Sequence, residues 1–208
     1  MSGITDPPVV ETDSAFDRVN EYFYERGWTD GLPIVPPTEE RVQAMLAGMP
    51  WRKPDEVISV VPPRMGTASM RQIAVNAVMA GCRPEYLPVV IAALQAVSEP
   101  AYGLSHRQTT THAGAPLTIV NGPIVSELRI NCGRGVFGPG WRANATIGRA
   151  LRLALVNIGG AGPGVDASQT GHPGKYTYCI AEYEAANPWE PLHVERGFAR
   201  GESVVTVV

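Results

Sequence analysis

The sequence predicts an α+β fold in a single domain, with clustered helices, short strands and two glycine-rich loops flanking one helix. Three observations predict it. Apolar residues recur at helical spacing in several long stretches, whereas strand-like runs are short and few. The helical stretches follow one another rather than alternating strictly with strands, which argues against a doubly wound parallel sheet. The 22 glycines and 19 prolines make about a fifth of the 208 residues, so much of the backbone must be turns and extended loops.

Residues 1–12 are polar, contain Pro7-Pro8 and read as a flexible arm, which leaves 13–208 as the domain. Asp13 or Ser14 caps a first helix whose apolar positions are Phe16, Val19, Tyr22 and Phe23, ending near Gly27. Pro33, Pro36 and Pro37 force residues 29–37 into an extended but ordered path, with Leu32, Ile34 and Val35 needing cover. Thr38 caps a second helix with Glu39 and Glu40 in its first turn and Val42, Met45, Leu46 and Met49 on its apolar face. Residues 57–61 form a strand stopped by Pro62-Pro63, and Thr67 caps a third helix with Met70, Ile73, Ala77 and Val78 inward. Gly81 breaks it, and Pro84 opens a fourth helix carrying Leu87, Val90, Ile91, Leu94 and Val97.

Residues 117–120 are a short strand, and 124–130 either a strand or a helical turn. Gly133, Gly135, Gly138 and Gly140 make the first flexible loop. A fifth helix spans 143–157, with Ile147, Leu151, Ala154 and Leu155 inward and Asn157 and Gly159 ending it. The second glycine-rich loop covers 159–174, and strands follow at 176–181 and 203–208.

A net charge of −3 excludes a nucleic-acid binder working through a basic surface, and 44% apolar residues exclude a disordered chain. The most apolar stretch, 86–97, is too short to span a membrane, and the N-terminus has no signal-peptide pattern. Three widely spaced cysteines without a CxxC pair fit reduced thiols in the cytoplasm. Fifteen of the 17 basic residues are arginine, the better fork-shaped donor for carboxylates and phosphates.

The candidate chemistry sits in four places. Glycines lead into the helix at 143–157, whose N-terminal N–H groups, with Arg142, Asn144, Thr146 and Arg149, would hold a carboxylate or phosphate. No Walker or Rossmann pattern closes this loop. Cys82, between two helices and beside Arg83, would have a lowered pKa and act as a nucleophile or redox thiol, and Cys132 at the edge of the first glycine loop is a second candidate. His106 and His112 share a side if their stretch is extended, and would move protons; their spacing matches no strong zinc pattern. Asn121, His172 and Lys175 complete the list as substrate contacts. Metal ligands are not assigned, and the residues name no cofactor.

The stretches TDGLPIVPPT (29–38), NAVMAGCRPEYLPVV (76–90), RANATIGRALRL (142–153) and GHPGKYTYCIAE (171–182), followed by Asn187-Pro188-Trp189, resemble a largely uncharacterised bacterial family associated with UGSC-type (seleno)proteins. The resemblance implies thiol or selenol chemistry, although this chain has no UGSC or CGSC motif. It also implies longer relatives, so a second chain would supply a missing C-terminal half.

The expected function is an enzyme, or the substrate-binding subunit of one, acting on a small anionic molecule by lyase- or hydratase-type cleavage or addition at a carbon–heteroatom bond. One alternative is a thiol-dependent, reductase-like component working with a cysteine or selenocysteine partner. The other is a non-catalytic stabilising subunit. The apolar run 203–208 also predicts a homo- or hetero-oligomer, without nucleic-acid or membrane partners.

Overall fold

The computed structural model describes residues 15–208. The arm expected at 1–12 and the Asp13 or Ser14 cap lie outside the described residues. The fold is α+β, with eight helices and two small sheets among the described residues.

Helix α1 (Ala15–Glu25) buries none of its side chains and packs Val19 and Phe23 against the core. The segment after it is ordered by specific bonds: Ile34 donates its N–H to Asn20 Oδ1 at 2.6 Å and Val35 to Met79 O at 3.1 Å. Ile34 is buried, while Leu32 and Val35 stay exposed. Thr38 caps α2 (Glu39–Leu46) by accepting from Arg41 N–H, as the sequence predicts.

Strand β1 (Val57–Val61) pairs antiparallel with β2 (Gly66–Ser69). Thr67 therefore belongs to a strand, not to a helix cap. Ser69 takes that role for α3 (Met70–Ala80), in a capping box with Gln72. Gly81 ends α3 with φ of +86°, a left-handed conformation that costs glycine nothing. Pro84 starts a 3₁₀ turn, Pro84–Tyr86, rather than the α-helix itself; α4 (Leu87–Ser98) begins three residues later with Pro88 in its tolerant first turn.

A short helix missed by periodicity, α5 (Leu104–Thr109), precedes β3 (Thr118–Asn121). The ambiguous stretch after it is helical, α6 (Ile124–Glu127). The long helix α7 (Arg142–Asn157) leads to β4 (Cys179–Ala181), then α8 (Leu192–Glu195) and β5 (Val204–Val207). Strand β3 is central in the second sheet, parallel to β4 and antiparallel to β5.

Helices α3 and α7 pack face to face at the centre, with α2 and α4 against them and the sheets outside. Ile73, Ala77, Leu94, Ile147, Leu151 and Leu155 fill the core, each larger side chain contributing roughly 1.5–3 kcal/mol by burial. Gly148 lets α7 lie against the 177–178 backbone, because a Cβ there would come within 2.4 Å of Tyr178 N. Among the described residues no helix is long and apolar enough to cross a membrane.

Candidate functional site

From its midpoint onward α7 presents Arg149 and Arg152 to two loops distant in sequence. Residues 29–31 turn tightly, with Gly31 N–H donating to Thr29 Oγ1 and Leu32 N–H to Asp30 Oδ1. That turn aims Asp30 at Arg149, which grips it with two parallel bonds of 2.8 and 2.9 Å and also donates to Pro33 O at 2.9 Å. Arg149 thus holds down the proline-rich segment.

Arg152 reaches the second glycine-rich loop. Its guanidinium donates to Gln108 Oε1 at 2.8 Å, Ala161 O at 3.0 Å and Asp166 Oδ2 at 3.3 Å. Lys175 Nζ donates to both Asp166 oxygens, at 2.8 and 2.6 Å, and to Ser168 Oγ at 3.1 Å. The three charged side chains are only 11–12% exposed. Burial pushes the Asp166 carboxyl up, but the Lys175 bond, the Ser168 N–H and the two cations outweigh it and hold the carboxyl below its ordinary value. Burial also lowers Arg152, against the opposing pull of Asp166 and Asp30. Arg152 and Lys175 share Asp166, while Arg149 holds Asp30 from behind, so three cations and two carboxylates form the network and the cavity lining itself carries two of each sign.

This network forms one wall of a cavity of about 810 Å³, with Tyr24, Thr29, Ser168, His172 and Tyr176 around it. Ser168 Oγ and Thr29 Oγ1 each accept a bond from the protein, so their O–H groups remain to donate. His172 Nδ1 accepts from Gly174 N–H at 2.9 Å, so a neutral ring carries its proton on Nε2. His172 and Pro173 also line a neighbouring cavity of about 430 Å³ beside Phe137, Asn144 and Tyr178.

The sequence-derived candidates separate into groups. His172 and Lys175 stand in the large cavity, with Arg149 just behind it through Asp30. Arg142 is elsewhere: it donates twice to Gly81 O, at 3.2 and 3.0 Å, and lines a separate cleft with Arg83, Glu127 and Arg129. Asn144 exchanges two bonds with the Asn131 backbone, and Thr146 donates to Arg142 O. The helix start therefore does not gather Arg142, Asn144, Thr146 and Arg149 around one point. Asn121 is buried at the end of β3, where it donates to Glu182 and Glu184 in a different polar cluster near His193.

His106 lies on α5 and His112 in the loop beyond it, so the extended stretch expected to align them does not exist. They nonetheless share a cavity of about 250 Å³ with Tyr102 and Arg107. Among the described residues no three His, Cys, Asp or Glu side chains converge as a metal site.

The lowered pKa expected for Cys82 is corrected. Burial pushes the thiol up to about 12, despite its bond to Thr146 O and the charges of Arg142 and Arg149. Cys82 N–H bonds back to Ala77 O, so the residue belongs to the C-terminal end of α3, where the helix dipole disfavours a thiolate. Cys179 is also buried and its thiol raised, whereas Cys132 is half-buried.

Sequence reading missed Asp30, the partner of Arg149, and Asp166, the partner of Arg152. Asp30 precedes Gly31 and Asp166 lies two residues after Gly164, signals for backbone shape that do not announce ion pairs 119 and 14 residues away. Comparison of the chain with protein-family models, with curated proteins and with solved structures returns no match.

Proposed function

We propose that the chain binds a small anion in the 810 Å³ cavity and acts on it as an enzyme or as the substrate-binding subunit of one. The carrying observation is the buried network in which Arg152 and Lys175 share Asp166 along one wall while Arg149 holds Asp30 from behind, an arrangement that fixes two cations beside the cavity where water is partly excluded. The Ser168 and Thr29 hydroxyls supply neutral donors beside it. The reaction class is lyase- or hydratase-like. Adding water to a double bond conjugated with a carboxylate spreads negative charge onto that carboxylate, and fixed cations lower the energy of that charge. His172, whose neutral ring holds its proton on Nε2, donates that proton to the adjacent carbon while the added water gives up its own proton to solvent, and it takes this role in place of His106, His112 or a thiol. The protein works in the cytoplasm, where its three free thiols stay reduced.

Calorimetric titration with inorganic phosphate and with succinate tests the reading. At least one should bind, and Arg152→Lys, which keeps the charge but loses the fork, should weaken that binding about tenfold. His172→Gln should leave binding of both anions intact and abolish incorporation of solvent deuterium into the saturated acid formed when water adds to fumarate. No binding of either anion overturns the reading.

A second reading, a stabilising subunit of an oligomer, draws on α1 and the turn after it, where no side chain of the helix is buried and Phe16, Tyr22 and Trp28 are exposed. Sedimentation equilibrium decides it: a mass near 22.3 kDa at micromolar concentration removes it.

A further inference from the structure

We infer that the ligand of this site is an amphipathic acid, with a flat apolar body held in the 430 Å³ cavity and its anionic group in the charged one; this rests on the anion-binding reading above. The two cavities are neighbours in the strict sense that His172 and Pro173 form part of the wall of both. Their chemistry differs sharply on either side of that wall. One side has Arg152, Asp166 and Lys175. The other has Val136, Phe137, Pro139, Ala145 and Tyr178, with no charged side chain among its lining residues.

The aromatic side is built rather than incidental. Phe137 rests on Tyr178 with ring centroids 5.4 Å apart, and Tyr178 rests on His172 at 5.5 Å. The row of rings therefore runs from the first glycine-rich loop to the histidine that borders the charged cavity. Phe137 is 63% exposed, so one large apolar face is left without a protein partner. The occupant of that face is the apolar part of the same ligand, because the row leads to the charged cavity. An acid with its head by Arg152 and its body beside Phe137 and Tyr178 would lie along His172 and Pro173, the two residues common to both cavities. Asn144 also lines this cavity, with its side chain held by two bonds to the Asn131 backbone.

The test uses the full chain and defined probes: propionate, phenylacetate, 3-phenylpropionate, 4-phenylbutyrate and the neutral amide of 3-phenylpropionate. Affinities come from calorimetry and ring contacts from saturation-transfer NMR. At least one phenyl acid should bind about tenfold more tightly than propionate, with saturation transfer to its ring protons. Propionate should displace it competitively. Phe137→Ala, at an exposed position, should erase the phenyl advantage and leave propionate binding unchanged. If propionate binds but no phenyl acid binds more tightly, or if Phe137→Ala keeps the preference, the inference is overturned while the anion reading stands. If the amide binds as tightly as its acid and propionate does not displace either, the charged cavity plays no part and both are overturned. Absence of binding by every acid overturns both as well.

Discussion

The two halves of α7 use the same residue types for different ends. In the N-terminal half Arg142 caps the open carbonyl of Gly81, Asn144 satisfies both backbone groups of Asn131, and Thr146 bonds within its own helix. Every one of those polar groups closes a backbone bond. From the helix midpoint on, Arg149 and Arg152 meet carboxylates, and the carboxylates belong to loops that wall a cavity. The side chains at the helix start are tied to backbone groups, whereas those two turns further on are tied to charged partners that line the cavity.

The largest effect should come from breaking the C-terminal side. Asp166→Asn leaves Arg152 and Lys175 buried together without their shared carboxylate, and should cost about 3–5 kcal/mol in denaturant unfolding. Asn144→Ala, on the other side, strands the N–H and C=O of Asn131 and should cost about 2 kcal/mol. A larger loss at Asn144 than at Asp166 would reverse the comparison.

Acid titration sharpens it. The Asp166 carboxyl is held below the ordinary 3.8, so the folded chain binds fewer protons than the unfolded one in that range. Its contribution is complete above 3.8 and is lost as pH falls through the lower folded value. Stability measured against pH should decline below about pH 4, and Asp166→Asn should flatten that decline. An unchanged acid limb would show that the carboxylate is no better stabilised folded than unfolded.

Thiol reactivity separates buried from open chemistry in the same region. Alkylation followed by mass spectrometry at pH 8 should label Cys132 first and leave Cys82 and Cys179 unlabelled until the chain unfolds. Early labelling of Cys82 would restore it as a nucleophile.

Local features were legible in the sequence where the signal is local. The Thr38 cap, the strand at Val57–Val61 and the long helix at 142–157 are where spacing and capping residues put them. Elements of four to six residues, such as α5 and α8, carry too few turns for periodicity to register. Cys82 was misassigned because two helix ends lie within five residues, and only the bond from its N–H to Ala77 O tells which one owns it. The charged cavity was half legible. His172 and Lys175 stood out in a glycine-rich loop, but Asp30, Arg152 and Asp166 become a network only through tertiary pairing that no window of sequence contains.

The smallest effect expected is also the one that most directly separates the two halves of the helix. Arg142→Ala removes two bonds to a single exposed-side carbonyl, Gly81 O, which water can replace, so the cost should be about 1 kcal/mol or less. Arg142 lines a cleft with Arg83, Glu127 and Arg129 that shares no lining residue with the charged cavity. Phosphate and succinate affinities should therefore be unchanged in Arg142→Ala, while Arg152→Lys weakens them. Calorimetry on the two variants side by side reads the difference. A loss of anion binding in Arg142→Ala equal to that in Arg152→Lys would move the binding site to the start of α7, because the guanidinium at Gly81 would then be reaching a ligand in addition to its carbonyl.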